Sequence, residues 1–294
     1  MTYYLVIDIG GTFIKYGILG ENENLIEQEK MATNAHQGGP HILQVVKDLV
    51  KWYSEKYDLS GVCISTAGMV DPDKGEVFYA GPQIPNYAGT NFKHTIESEF
   101  GISCSVENDV NCAGLAESIS GNARDSEISL CLTIGTGIGG CLVIDNNVFH
   151  GYSNSACEVG YIHLPDGAFQ DLASTSALVK YVATLENDSE SDWSGYRIFE
   201  EAKKGHPNCI IAIDRMVNYL AQGIANICYV ANPQTVVLGG GIMAQKNFLK
   251  EKIEKALATY LVESLLEKTK LVFAHHENNA GMLGAYYHFR HQHH

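Results

Sequence analysis

Apolar and polar residues along the chain fall into two similar successions. Residues 4–19, YLVIDIGGTFIKYGIL, carry two β-rich apolar runs hinged on Gly10-Gly11-Thr12, which predicts strand, tight turn and strand. This is a hairpin rather than a strand-to-helix turn. Ile42, Val45, Val46, Leu49 and Tyr53 fall at helical spacing, and GVCIST at 61–66 reads as a short buried strand. A helix is expected over 92–100 and a strand over 103–106. Asn108-Asp109-Val110-Asn111 then opens another helix, because Asn and Asp cap well. The succession restarts at 128–148, ISLCLTIGTGIGGCLVIDNNV, again strand, Gly/Thr turn and strand, followed by a turn at Asn146-Asn147. Residues 210–230 form a long helix, apolar nearly all round and hence expected to be buried, which Pro233 stops. Residues 235–238 form a strand running into Gly239-Gly240-Gly241. An amphipathic helix over 247–266, a strand over 271–274 and a final helix from Asn279 complete the chain. Alternating strands and helices in two repeated halves predict an α/β protein of two domains with a cleft between them. The expected division is 1–112, with the final helix 279–294 packing back on it, and 113–278.

Composition narrows the partners. The 294 residues are 45% hydrophobic and 18% charged, with 29 Gly and 7 Pro, the balance of a globular chain with an ample core. Lys plus Arg number 20 against 34 for Asp plus Glu, a net charge of −14. A field of that sign repels phosphate backbones and anionic lipid, so neither nucleic acid nor membrane is an expected partner. A nucleotide remains open, because Gly-rich loops, helix N-termini and Mg²⁺ supply local positive potential. The eight Cys show no CxxC or CxC spacing and read as reduced, buried thiols. With no basic leader and no membrane-length apolar run, the expected location is the cytoplasm.

The chemistry concentrates at four places. In Asp8-x-Gly10-Gly11-Thr12-x-x-Lys15 a strand-end carboxylate precedes two glycines whose N–H groups can hold phosphate oxygens, and Asp8 can hold Mg²⁺ directly or through water. Gly135-Thr136-Gly137-Ile138-Gly139-Gly140 repeats that build, so each half carries one turn suited to a triphosphate. No GKS or GKT follows and neither turn opens a helix, which sets aside Rossmann and P-loop chemistry. Asp109, at a strand end, is the candidate to accept a hydroxyl proton in phosphoryl transfer, with a helix N-cap as its alternative role. Gly239-Gly240-Gly241 suits close backbone approach to a flat or phosphorylated ligand.

These motifs, in order, resemble the ROK sugar kinases and repressors of the hexokinase, actin and Hsp70 superfamily. The resemblance spans nearly the whole chain and rests on DIGGTFIK (8–15), STAGMVDP (65–72), VENDVNC (106–112), TIGTGIGG (133–140), HGYSNSACEVGYIHL (150–164), NPQTVVLGGGI (232–242) and NNAGMLGA (278–285). It implies a two-domain actin-like ATPase fold of the ribonuclease H type, ATP–Mg²⁺ as donor and a hexose-type acceptor. It makes Asp109 the base and gives Asn108 and Glu158 to the sugar hydroxyls, with Gly68 and Asn86 in the same pocket. Gly10, Gly11, Thr12, Lys15, Gly135, Thr136 and Gly137 fall to the phosphates, Gly240 and Gly241 to adenosine, and Asp8 to the metal, through water. A homodimer through the larger domain is expected on the same ground, as is domain closure on sugar binding.

Departures from the family pattern bear on the substrate. Most members follow the sugar-site Glu with Gly-His and a CxCGxxGC cluster that binds structural zinc. Here Glu158-Val159-Gly160-Tyr161 replaces that His, and 165–171 contain no Cys, so no such zinc site is expected. Tyr161 and Gln170, the latter where relatives commonly carry a second Glu, make the sugar site more aromatic and less charged. This form looks most like the β-glucoside kinases of the family, with glucokinase and N-acetylmannosamine kinase activities open. A repressor is not expected, because the first phosphate motif begins eight residues in, leaving no room for a helix-turn-helix. A non-catalytic sugar sensor is the alternative of another class. His291, His293 and His294 carry no expected metal role.

Overall fold

The first residues of a computed structural model, which describes residues 2–293, already show why the chain reads as it does. Along strand β1 (Tyr3–Ile9), Leu5, Ile7 and Ile9 pack into one buried cluster while Tyr4 and Val6 pack into another. Side chains alternate across a strand, so a sheet covered on both faces needs a continuous apolar run.

The chain divides into two units, the first comprising residues 2–120, 148–156 and 278–293. In it, β1 pairs antiparallel with β2 (Phe13–Gly20), which pairs antiparallel with β3 (Leu25–Ala32). Helix α1 (Gly38–Ser54) leads to β4 (Leu59–Thr66), parallel to β1. Helix α2 (Phe92–Phe100) leads to β5 (Cys104–Asn108), parallel to β4. The order is β3-β2-β1-β4-β5. Ile42, Val46, Val50 and Tyr53 of α1 cover one face. Helix α3 (Asp109–Ile119) and the C-terminal helix (Ala280–His293) cover the other through Cys112, Leu115, Met282, Ala285 and Tyr286. Those two helices lie so close that a Cβ on Gly284 would stand 1.9 Å from the Cys112 carbonyl oxygen. Each large apolar side chain so buried contributes about 1.5–3 kcal/mol. A boundary at 112–113 would cut α3, which lies whole in this unit.

The second unit comprises residues 121–147 and 157–277 and repeats the order. Strands β6 (Ile128–Ile134) and β7 (Ile138–Ile144) form an antiparallel hairpin, with the two-residue strand β8 (Asn147–Val148) at its edge. After helices α4 (Thr175–Glu186), α5 (Gly195–Lys203) and α6 (Pro207–Ala231), β9 (Thr235–Gly239) lies parallel to β6. Helix α7 (Lys246–Leu257) precedes β10 (Lys270–Phe273), parallel to β9. The order β8-β7-β6-β9-β10 is that of the first sheet, so the repeat in the sequence is a repeat in topology.

Three local expectations are corrected. The helix expected over 247–266 stops at Leu257, and a four-residue helix resumes at Glu263–Leu266. Between them Tyr260 reaches α6, donating to Asn218 at 2.7 Å and accepting from Gln222 at 2.9 Å, and Leu261 is buried. Helix α6 is not buried all round: Ile211, Tyr229 and Val230 are exposed, while Ala212, Met216, Leu220 and Ile224 face the core. The turn after β7 falls one residue earlier than expected, with Asp145 and Asn146 both at positive φ (49° and 61°), the pairing that a two-residue hairpin requires.

Candidate active site

In the first unit, Asp8 sits opposite Lys15 on β2 and Ser65 on β4. Ser65 Oγ donates to Asp8 Oδ1 at 2.8 Å. Lys15 Nζ stands 3.4 Å from Oδ2 and donates to the Asn278 carbonyl at 3.1 Å. The Gly10-Gly11-Thr12 turn is closed by Gly10 N–H donating to the Phe13 carbonyl at 3.0 Å. It is anchored by Thr33, whose hydroxyl donates to the Gly10 carbonyl at 2.6 Å and whose N–H donates to the Thr12 carbonyl at 2.9 Å.

In that sheet β5 is an edge strand whose Glu107 stands opposite Ser65, so β5 runs into α3 at the same end of the sheet as Asp8. The capping residue is Asn108, not Asp109: Asn108 Oδ1 accepts from Val110 N–H at 2.9 Å and Asn111 N–H at 3.0 Å. Its Nδ2 donates to the Gly68 carbonyl at 2.8 Å and to Asp109 Oδ1 at 3.1 Å. Asp109, in the first turn of α3, also accepts from Val110 N–H at 2.9 Å, so its carboxylate is held at a helix N-terminus, where the macrodipole favours negative charge. Gly68 has φ +97°, and a Cβ there would lie 2.9 Å from the Tyr79 carbonyl, so the residue that receives Asn108 has to be glycine. Asn86 lies in an exposed loop, its backbone left-handed at φ 53° and its carbonyl against Gly39.

The second unit holds Glu158, Tyr161 and Gln170. Glu158 precedes a single 3-10 turn (Val159–Tyr161) that Tyr161 ends; both are exposed, and desolvation by neighbouring atoms raises the Glu158 pKa. Gln170 lies between two glycines: Cβ atoms on Gly137 and Gly160 would each lie 2.9 Å from its Oε1. The structure thus places Gln170 against the second glycine turn.

A cavity of about 390 Å³ brings together Gly135 and Thr136 of the β6–β7 turn with Gly241, just after β9. Its volume lies within the range of small-ligand sites. Thr175, Tyr196 and Gln245 also line it, and none of them stands out in the sequence. A larger groove of about 690 Å³, between α7 and β10, contains none of the expected site residues. Cβ atoms on Gly11, Gly135 and Gly241 would meet nothing within 4 Å, and none of the three has a positive φ. The fold itself does not require glycine there, whereas a ligand lying against the backbone would. Gly240 differs: its φ is +100° and a Cβ would lie 2.2 Å from the Ile134 carbonyl oxygen.

Sequence reasoning passed over Glu107. Fully buried at the end of β5, it accepts through Oε1 from Asn108 N–H at 2.7 Å and Asn111 Nδ2 at 3.0 Å. Its Oε2 lies 2.6 Å from His150 Nε2 and 3.6 Å from His288 Nδ1. Burial alone would raise its pKa, but the bond to His150 and the neighbouring His288 and Asn111 outweigh it and hold the carboxyl below its usual range. His150 is raised, because Glu107 outweighs the effect of burial. Burial lowers His288. The available signal was a charged residue inside the short strand CSVEN.

Comparison with known proteins bears on this geometry. The model of the ROK family matches residues 4–292. An uncharacterized protein of Clostridium perfringens is 47% identical, covering 99% of this chain and 98% of its own. The β-glucoside kinase of Listeria innocua is 30% identical, covering 96% and 95%. Among solved structures, a Streptomyces griseus ROK glucokinase in complex with glucose and AMPPNP superposes with a TM-score of 0.81 at 27% identity, covering 96% and 97%.

Proposed function

The chain belongs to the ROK family and is an ATP-dependent carbohydrate kinase of actin-like ATPase fold, and from that premise we propose that it phosphorylates the 6-hydroxyl of a β-glucoside such as cellobiose. Asp109 takes the proton of that hydroxyl as its oxygen attacks the γ-phosphorus, and ADP leaves. The observation that carries the reading is the fixed turn at the start of α3, where Asn108 is bound to Gly68 and presents its amide beside the Asp109 carboxylate. A carboxylate so placed orients and deprotonates an alcohol for in-line attack.

In the second unit the nucleotide falls to the cavity lined by Gly135, Thr136 and Gly241, where the open glycine positions leave room for phosphate oxygens; taken by itself, the first unit's Gly10-Gly11-Thr12 turn leaves such room at Gly11. Mg²⁺ suits Asp8, an oxygen donor held by Ser65 at the edge of that turn. Among the described residues no group of three or more His, Cys, Asp or Glu could hold a metal ion. The ion, when bound, neutralises charge on the phosphates.

For the sugar, Glu158 accepts hydroxyl hydrogens and the Tyr161 ring, 56% exposed, offers an apolar face to a second ring. The likeness to a β-glucoside kinase supports this choice. A homodimer through the second unit is supported by Ile211 and Tyr229, exposed on α6 and about five full turns apart, hence on one face. The absence of CxxC and CxC spacing among the eight cysteines of the sequence supports a cytoplasmic location. The test is kcat/KM for cellobiose, glucose and N-acetylmannosamine: cellobiose at least tenfold ahead is expected, and glucose or N-acetylmannosamine ahead overturns the β-glucoside assignment.

A further inference from the structure

Glu107 is the fully buried carboxylate nearest in sequence to Asp109, and each of its oxygens is used. Oε1 holds the backbone N–H of Asn108 and the side chain of Asn111, so it fixes both ends of the first turn of α3, the turn that carries Asp109. Oε2 faces two imidazoles that reach it from distant parts of the same unit, His150 from the 148–156 segment at 2.6 Å and His288 from the C-terminal helix at 3.6 Å. Burying a carboxylate costs several kcal/mol unless it is paired and hydrogen-bonded, so a fold that only needed to fill this space would use an apolar side chain. We propose that Glu107 is a positioning residue for Asp109, with the His150 imidazole as its charge partner.

The roles of the two histidines differ. His150 is partly accessible and makes the short bond to Glu107; Asp73 also favours its charged form. His288 is buried and its Nε2 has no hydrogen-bond partner; burial lowers its pKa, with His150, His291 and Lys93 acting the same way and Glu107 acting against them. The shorter contact, with the pKa of His150 raised and that of His288 lowered, makes His150 rather than His288 the main charge partner of Glu107. Losing the charge on His150 leaves Glu107 a buried anion with only neutral donors. The first turn of α3 then loosens and Asp109 departs from the line of attack.

This inference rests on Asp109 as the base, and its test separates the two. In the full chain, Glu107→Gln keeps the shape and the oxygen that accepts from Asn108 but removes the charge. We expect kcat to fall about a hundredfold, the order of loss that a misplaced catalytic group produces, with KM for ATP within twofold of wild type. His150→Gln should lower kcat similarly, and Glu107→Gln/His150→Gln should lose less than the product of the two single losses, because no uncompensated charge remains. Independently of activity, NMR titration of the His150 ring should show a pKa above its ordinary value in wild type that returns toward that value in Glu107→Gln. A kcat within twofold of wild type in Glu107→Gln, strictly multiplicative losses in the double variant, or an unshifted His150 each overturns the proposal. If Asp109→Asn itself turns over normally, the assignment of the base fails instead.

Discussion

Replacing Gly135 or Gly241 by alanine separates what the fold needs from what a nucleotide needs. Neither glycine has a positive φ, and a Cβ on either would meet nothing within 4 Å, so the native chain accommodates the methyl group without strain. Removing glycine's freedom in the unfolded chain stabilises by about 0.4–1 kcal/mol at such positions, a rise in Tm of roughly 1–4 °C for a protein of this size. Both residues line the 390 Å³ cavity, so each methyl stands where a phosphate or the adenosine would lie against the backbone. Displacing one charge-assisted hydrogen bond costs about 1.5–3 kcal/mol, which is a rise of about ten- to a hundredfold in KM for ATP. Gly240→Ala is the contrast: with φ +100° and the Ile134 carbonyl oxygen 2.2 Å from the new Cβ, it should lower Tm. The assays are thermal unfolding without ligand and ATP titration of initial rates at saturating sugar. An unchanged KM for ATP in both Gly135→Ala and Gly241→Ala would refute the assignment of this cavity to the nucleotide.

Asp109→Asn should reduce turnover by at least a thousandfold while ATP still binds, as measured by calorimetry, since the amide cannot take the hydroxyl proton. Gly284→Ala drives a methyl into the Cys112 carbonyl across the contact between α3 and the C-terminal helix, and should destabilise by about 1–3 kcal/mol in denaturant titration. The stability conferred by the Glu107–His150 pair should depend on pH with a definite sign. His150 is raised above its ordinary 6.5, so its contribution is complete below about 6.5 and lost as pH rises through the raised value. Glu107 is lowered from 4.5, so its contribution is complete above about 4.5 and lost as pH falls through the lowered value. The stability difference between wild type and His150→Gln should therefore be largest between these limits and shrink toward alkaline pH; a difference that grows there would contradict the pairing.

Both hairpins were legible because glycine interrupts two apolar runs without a helical period following, and the repeat of that pattern became a repeat of sheet order. The division of labour between Asn108 and Asp109 was not, because either residue type caps a helix and only the hydrogen bonds decide that Asn108 does. The end of α7 was hidden for a different reason: Tyr260 turns inward to Asn218 and Gln222, 42 and 38 residues earlier, and local periodicity carries no trace of such partners. Glu107 was overlooked on the same ground, since its imidazole partners come from residues 150 and 288. Thr175, Tyr196 and Gln245 reach the cavity from helices whose apolar faces, not their polar residues, shaped the sequence reading.

The central claim is that Asp109 drives transfer of the γ-phosphate from ATP to a sugar hydroxyl. Phosphorus NMR of a reaction containing cellobiose and ATP tests it most directly, run with wild type and with Asp109→Asn under the same conditions. Wild type should give a sugar 6-phosphate and ADP in equal amounts and the variant neither, although the variant still binds ATP. Sugar phosphate formed by Asp109→Asn at the wild-type rate, or ADP and free phosphate without any phosphorylated sugar from wild type, would contradict it.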